Sequence, residues 1–70
     1  SWGKWAIEVK TGRFYSSDLA GLEEFCRVNK GFRPAVLCEA QYCAIAKRAH
    51  IVCAPWQDYI LRGAAAMEDG

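Results

Sequence analysis

Glu8-Val9-Lys10 is the stretch of this sequence whose residue types and spacing best suit chemistry. On an extended chain, positions two apart share a face. The Glu8 carboxylate and the Lys10 ammonium then converge on one spot. A hard ion such as Mg²⁺ takes oxygen ligands, which a carboxylate supplies. A neighbouring lysine can position or activate attacking water and balance the charge developing on phosphate. Metal-dependent phosphodiester hydrolysis uses that combination. Ala6, small and on the same face, leaves room for a ligand. Glu8 and Lys10 are therefore the candidate catalytic residues, and Glu8 is the candidate metal ligand. The plainer reading of the pair is a solvent-facing ion pair beside an apolar face.

A second group of residues could touch phosphate. Arg13 follows the Glu8–Lys10 segment in a loop, and Lys47, Arg48 and His50 form a short basic cluster. Arg13, Lys47 and Arg48 are the candidate nucleic-acid contacts, against the alternative of solvated surface charge. The four cysteines, Cys26, Cys38, Cys43 and Cys53, each sit in an apolar stretch. Their expected state is the reduced thiol, buried or partly buried. A metal site built from Cys43, His50 and Cys53 lacks a fourth ligand at sensible spacing.

These side chains need elements to hold them. Lys4 to Lys10 alternates, with Trp5, Ile7 and Val9 on one face and Lys4, Ala6, Glu8 and Lys10 on the other. This predicts a strand with one strongly apolar face. Ser16 and Ser17 are good helix N-caps and Asp18 suits the first turn. Leu19, Leu22, Phe25 and Cys26 then share a helical face, and Gly31 stops the helix. Gly21 within it is expected to let the helix approach the sheet. Pro34 opens the apolar run Ala35-Val36-Leu37-Cys38, which suits a strand covered on both faces.

Glu39 to Ala49 reads two ways. Tyr42, Ile45 and Ala46 fit a helical turn; Tyr42, Ala44 and Ala46 fit a short strand. A loop with a short strand is the expectation. Ile51-Val52-Cys53-Ala54 is a third buried strand. Pro55 starts a helix whose face carries Trp56, Tyr59 and Ile60, with Trp56 and Tyr59 expected in the core. The fold class is α/β: a small, mostly parallel three-stranded sheet with two helices, in the order β-α-β-β-α.

The chain has 70 residues, enough for one small domain, expected over residues 1–63 with a flexible tail at 64–70. With 53% hydrophobic residues and a formal net charge of +1 it is globular and lacks the bulk charge of a nucleic-acid or membrane binder. No apolar run approaches the roughly 18 to 20 residues that span a bilayer. The expectation is a cytoplasmic protein with no membrane partner. No Walker motif occurs, so ATP hydrolysis is not assigned to these residues.

The order and spacing of the motifs carry a resemblance. Trp5-Ala6-Ile7-Glu8-Val9-Lys10-Thr11-Gly12 is followed by Ser16-Ser17-Asp18-Leu19-Ala20-Gly21-Leu22. The chain closes with Ile51-Val52-Cys53-Ala54-Pro55-Trp56 and Tyr59-Ile60-Leu61. From Trp5 to about Leu61 this resembles the C-terminal domain of unknown function that follows the ATPase core in many bacterial AAA-type proteins. That family is similar in turn to the PD-(D/E)xK restriction-endonuclease-like superfamily. The resemblance implies that Glu8 is a metal ligand and Lys10 a catalytic lysine. It also implies an acidic residue on a preceding strand. Only Ser1 to Lys4 precede the Glu-x-Lys strand here, so that ligand lies upstream or is absent. The helix that follows offers Glu23 and Glu24 where some members carry Gln.

The resemblance therefore implies an accessory, non-catalytic C-terminal module of an AAA-type ATPase, contacting DNA or a subunit. The alternative is a metal-dependent nuclease domain whose first acidic ligand lies upstream. No cofactor is expected in this piece, and Mg²⁺ in a full domain. The implied partners are the N-terminal AAA ATPase domain of the parent chain, DNA, and a second copy paired through open sheet edges.

Overall fold

A computed structural model describes residues 4–63 and 66. The order is β1 (Lys4–Val9), a 3₁₀ turn (Ser16–Leu19), α1 (Ala20–Val28), β2 (Phe32–Cys38), a second 3₁₀ turn (Ala40–Tyr42), α2 (Cys43–Arg48), β3 (Val52–Pro55) and α3 (Trp56–Arg62). The three strands form one parallel sheet in the order β1-β2-β3. The α/β class and the three-stranded parallel sheet match the reading of the sequence.

Strand parity divides the interior in two. Val36 and Cys38 of β2, Cys53 of β3 and partly buried Ala6 of β1 face α1 and α2 across a core that also holds Phe14, Leu19, Leu22, Cys43, Ala46 and Ile51. Ala35, Leu37 and Ala54 face the other way, into a smaller core with Trp5, Val52, Tyr59 and Ala66. Ala35 to Cys38 are all buried, as expected for a central strand covered on both faces.

Pro34 sits inside this central strand, where proline costs a ladder hydrogen bond. The Gly31 and Leu37 carbonyls accept from the Lys4 and Lys10 N–H groups, so odd-numbered β2 residues direct their backbone groups to β1. The N–H that Pro34 lacks falls on the β3 side. Pairing with β3 begins only at Ala35, so no ladder bond is lost.

Residues 40–48 correct the expected loop with a short strand: they are helical. The Tyr42, Ile45, Ala46 pattern holds because Cys43 and Ala46 turn onto the larger core, while exposed Ala44 faces water. Among the described residues there are thus three α-helical elements, α1 to α3, and not two. The termination of α2 explains why this short helix is stable. Ile51 N–H donates to the Ala46 carbonyl and His50 N–H to that of Lys47, each at 3.0 Å. This is a Schellman closure, with Ile51 packed in the same core as Ala46. His50 occupies its left-handed position, φ 61°, usually held by glycine.

The first helical turn also differs from expectation. Tyr15, not Ser16 or Ser17, is the residue at the cap: its N–H donates to Asp18 Oδ2 at 2.8 Å. A Cβ on Gly21 would meet nothing within 4 Å, so the expected close approach to the sheet does not occur there. Trp56 and Ile60 are exposed and not core, because α3 covers β2 and β3 with Tyr59. Of the tail expected at 64–70, only Ala66 is among the described residues. It is buried, with its N–H on the Gly63 carbonyl. Residues 64, 65 and 67–70 lie outside the described residues. Among the described residues, no helix is long and apolar enough to cross a membrane.

His50→Gly relieves the left-handed strain and is expected to stabilise the fold by about 1 kcal/mol, while β-branched His50→Val destabilises it by a similar amount. Thermal denaturation followed by circular dichroism checks this; equal midpoints for the two variants would refute it.

Candidate functional site

Glu8 and Lys10 share a face of β1 and touch. Lys10 Nζ lies 2.7 Å from Glu8 Oε2, and both side chains are only partly exposed, 24% for Lys10 and 31% for Glu8. The Lys10 backbone N–H donates to the Leu37 carbonyl at 2.8 Å, which continues the ladder beyond Val9 and fixes the lysine's position. The hydrogen bond that Lys10 donates to Glu8 raises its pKa above the ordinary value. Desolvation opposes this, and the charges of Glu8 and Asp18 add to it. Lys10 is therefore a cation at neutral pH and cannot act there as a general base.

The pair closes on itself. The Asp18 carboxylate is held by the Tyr15 N–H. Among the described residues, neither Asp18 nor any other acidic group joins Glu8 in a set of three metal donors. A divalent ion at Glu8 would have to displace Lys10 or draw further ligands from elsewhere.

Beside Glu8, a groove of about 400 Å³ runs between β1 and α1, lined by Ala6, Ile7, Glu8, Leu22 and Phe25 among others. It lies at the outer edge of the sheet, where β1 pairs only with β2. The face expected to be strongly apolar is poorly covered here: Ile7 is 38% and Val9 58% exposed. The face bearing Ala6 and Glu8 meets the larger helical layer instead. The apolar alternation set the strand's two faces correctly, but not which face the helices cover more fully.

The basic candidates separate. Phe14 is buried and meets Tyr42 edge-on at 6.4 Å, which pins the loop after β1 against the turn before α2. This brings Arg13 and Arg48 to a single cleft of about 730 Å³, also lined by Tyr15, Ser16, Gln41 and Tyr42. The Arg13 guanidinium lies over the Tyr15 ring, 5.6 Å from its centroid. Among the described residues, no acidic one lines the cleft. Lys47 is exposed on α2 and does not line it, and His50 serves the helix end. Tyr15 and Gln41 escaped notice in the sequence; Tyr15, next to Arg13 across a core phenylalanine, was the available signal.

The cysteines also regroup. Cys43 and Cys53 are joined in a disulfide with Cα atoms 5.7 Å apart, while Cys26 and Cys38 are thiols. This corrects the expectation of four thiols: α2 folds back over β3 and brings the pair within bridging range. Cys38 Sγ lies 3.3 Å from Cys53 Sγ and 3.7 Å from Cys43 Sγ. The cluster uses Cys38 where the sequence offered His50. Burial, aided by the charge of Glu39, raises the Cys38 pKa and keeps it a neutral thiol.

Comparison with protein-family models, with curated proteins and with solved structures found no match to this chain.

Because the folded-state pKa of Lys10 is raised, the stability it contributes is fully present below the unfolded value and is lost as pH rises through the folded one. Lysine side-chain NMR should find Lys10 titrating at higher pH in the wild type than in Glu8→Gln. Equal titration of Lys10 in the two proteins would disprove the pairing in solution.

Proposed function

We propose that this chain is a non-catalytic accessory module of a bacterial AAA-type ATPase that contacts DNA through the Arg13–Arg48 cleft. The observation that carries the DNA contact is the convergence of Arg13 and Arg48, from opposite halves of the chain, beside Tyr15 and Tyr42 with no carboxylate among them. Guanidinium groups bind phosphate oxygens in a fork that suits their planar donors. Tyrosine rings offer unpaired bases a stacking surface, and every base has a π-face. A single-stranded segment therefore fits better than intact duplex. The module reading itself rests on the motif succession from Trp5 to Leu61.

The absence of catalysis in this reading follows from the state of Glu8. One carboxylate already neutralised by a lysine does not make a hydrolytic metal centre. The N-terminal ATPase domain, or a second copy, would pack along the outer edge of β1, where Ile7 and Val9 remain in water.

The alternative, a metal-dependent nuclease whose first acidic ligand lies upstream, is favoured by one observation. The groove beside Glu8 lies at the sheet edge where a preceding strand would pair. Among the described residues, no set of three metal donors includes Glu8.

Fluorescence anisotropy with a short single strand and its duplex, over a salt series, tests the DNA contact. Arg13→Ala and Arg48→Ala are each expected to weaken single-strand binding and to lower the salt slope by about one. Unchanged binding in both variants would remove the cleft from the reading. Mg²⁺ and Mn²⁺ titration followed by amide NMR separates the alternatives: saturable shifts at Glu8 and Lys10, lost in Glu8→Ala, would favour the nuclease.

A further inference from the structure

We propose that Cys38, Cys43 and Cys53, in their reduced form, bind one copper(I) ion. The three sulfurs lie within 4.8 Å of one another and are the one group of three potential metal donors among the described residues. They come from three elements: the end of β2, the first residue of α2 and the middle of β3. Cys53 pairs in register with Val36, so Cys38, two residues on, is its diagonal neighbour on the same face. Cys43 closes the triangle from the helical layer above.

The donor set selects the ion. Thiolates are soft ligands and favour Cu(I) and Zn²⁺ over hard cations. Structural Zn²⁺ takes four ligands in a tetrahedron, and no nitrogen or oxygen side chain joins this group. The surrounding core is Phe14, Leu19, Val36, Ala46 and Ile51. It supplies no fourth donor and leaves little access for water to act as one. A three-coordinate d¹⁰ ion matches the site. Metal–sulfur bonds of about 2.3 Å set the ligand sulfurs of a trigonal site roughly 4.0 Å apart, so binding widens the 3.7 Å Cys38–Cys43 and 3.3 Å Cys38–Cys53 separations slightly and the opened Cys43–Cys53 pair further. The buried walls would also shield Cu(I) from water.

The metal-bound and disulfide states exclude each other. A dithiol or phosphine reductant must first open the Cys43–Cys53 bond: two electrons and two protons convert the disulfide to two thiols, and the reductant is oxidised. Cu(I) then replaces the thiol protons, which leave to solvent, with no change of oxidation state.

The test uses the whole chain, reduced with a phosphine, desalted without oxygen and titrated with Cu(I) supplied as its acetonitrile complex against a chromophoric Cu(I) chelator. The expected result is one equivalent bound, X-ray absorption showing three sulfur neighbours, and the emission of a solvent-shielded Cu(I)–thiolate centre. Cys38→Ala should weaken binding by more than about tenfold, the scale seen when even a supporting group around a metal is lost. Cys26→Ala should bind as the parent does. Circular dichroism of each metal-free variant shows whether it remains folded. The proposal is overturned if the reduced wild-type chain yields all its Cu(I) to the chelator, if absorption finds two sulfurs, or if folded Cys38→Ala binds undiminished. The wild-type coordination number decides the matter even if Cys38→Ala fails to fold.

Discussion

Burial of β2 on both faces is the constraint on which the rest of this small fold depends. Ala35 to Cys38 are all buried, and β2 is the strand that both β1 and β3 require as a partner. Apolar transfer of such a strand is favourable only if its backbone groups are paired. The parallel ladders do that, and Pro34 is tolerated because it stands one residue before the β3 ladder begins. A 70-residue chain has little core to spare. It uses one strand to nucleate two half-cores, with α1 and α2 on one side and α3 on the other.

Parity then places the chemistry. Glu8, Val36 and Cys53 form one row across the sheet. Cys53 lies two strand spacings, about 10 Å, from Glu8 on that face, whereas Cys38 of the central strand stands one spacing from Lys10. The two sites differ through their neighbours. At the outer strand the sheet ends and water reaches the charges; at β3 the helix α2 seals the face. An ion pair survives at the first, and a neutral thiol beside a disulfide at the second, because the cost of burying charge rises as water is excluded.

The poorly covered flank of β1 is the part of the molecule least like an interior. Ile7 and Val9 repeat at strand spacing, which is the pattern of a buried surface, and yet they meet water. Local pattern and burial disagree along this strand, as they do at Phe25 of α1 and at Trp56 and Ile60 of α3.

Much was legible because it depends on local physics. Alternation over Lys4–Lys10 defines a strand in any context, a β-branched apolar run between turn residues defines a covered strand, and the spacing of Glu8 and Lys10 alone puts them on one face. Glycines 12, 31 and 63 adopt positive φ where the chain must turn, and Gly31 was readable as a stop. What tertiary structure alone decided was which distant residues meet. The α2 segment, six residues long, is too short to show a helical period; packing of Cys43 and Ala46 and the left-handed turn at His50 make it a helix. The meeting of Arg13 with Arg48 needed Phe14 to be driven into the core. The meeting of Cys38 with Cys43 and Cys53 needed the strand register and the return of α2 over β3. Such contacts are set by burial across the chain, and no window of neighbouring residues contains them.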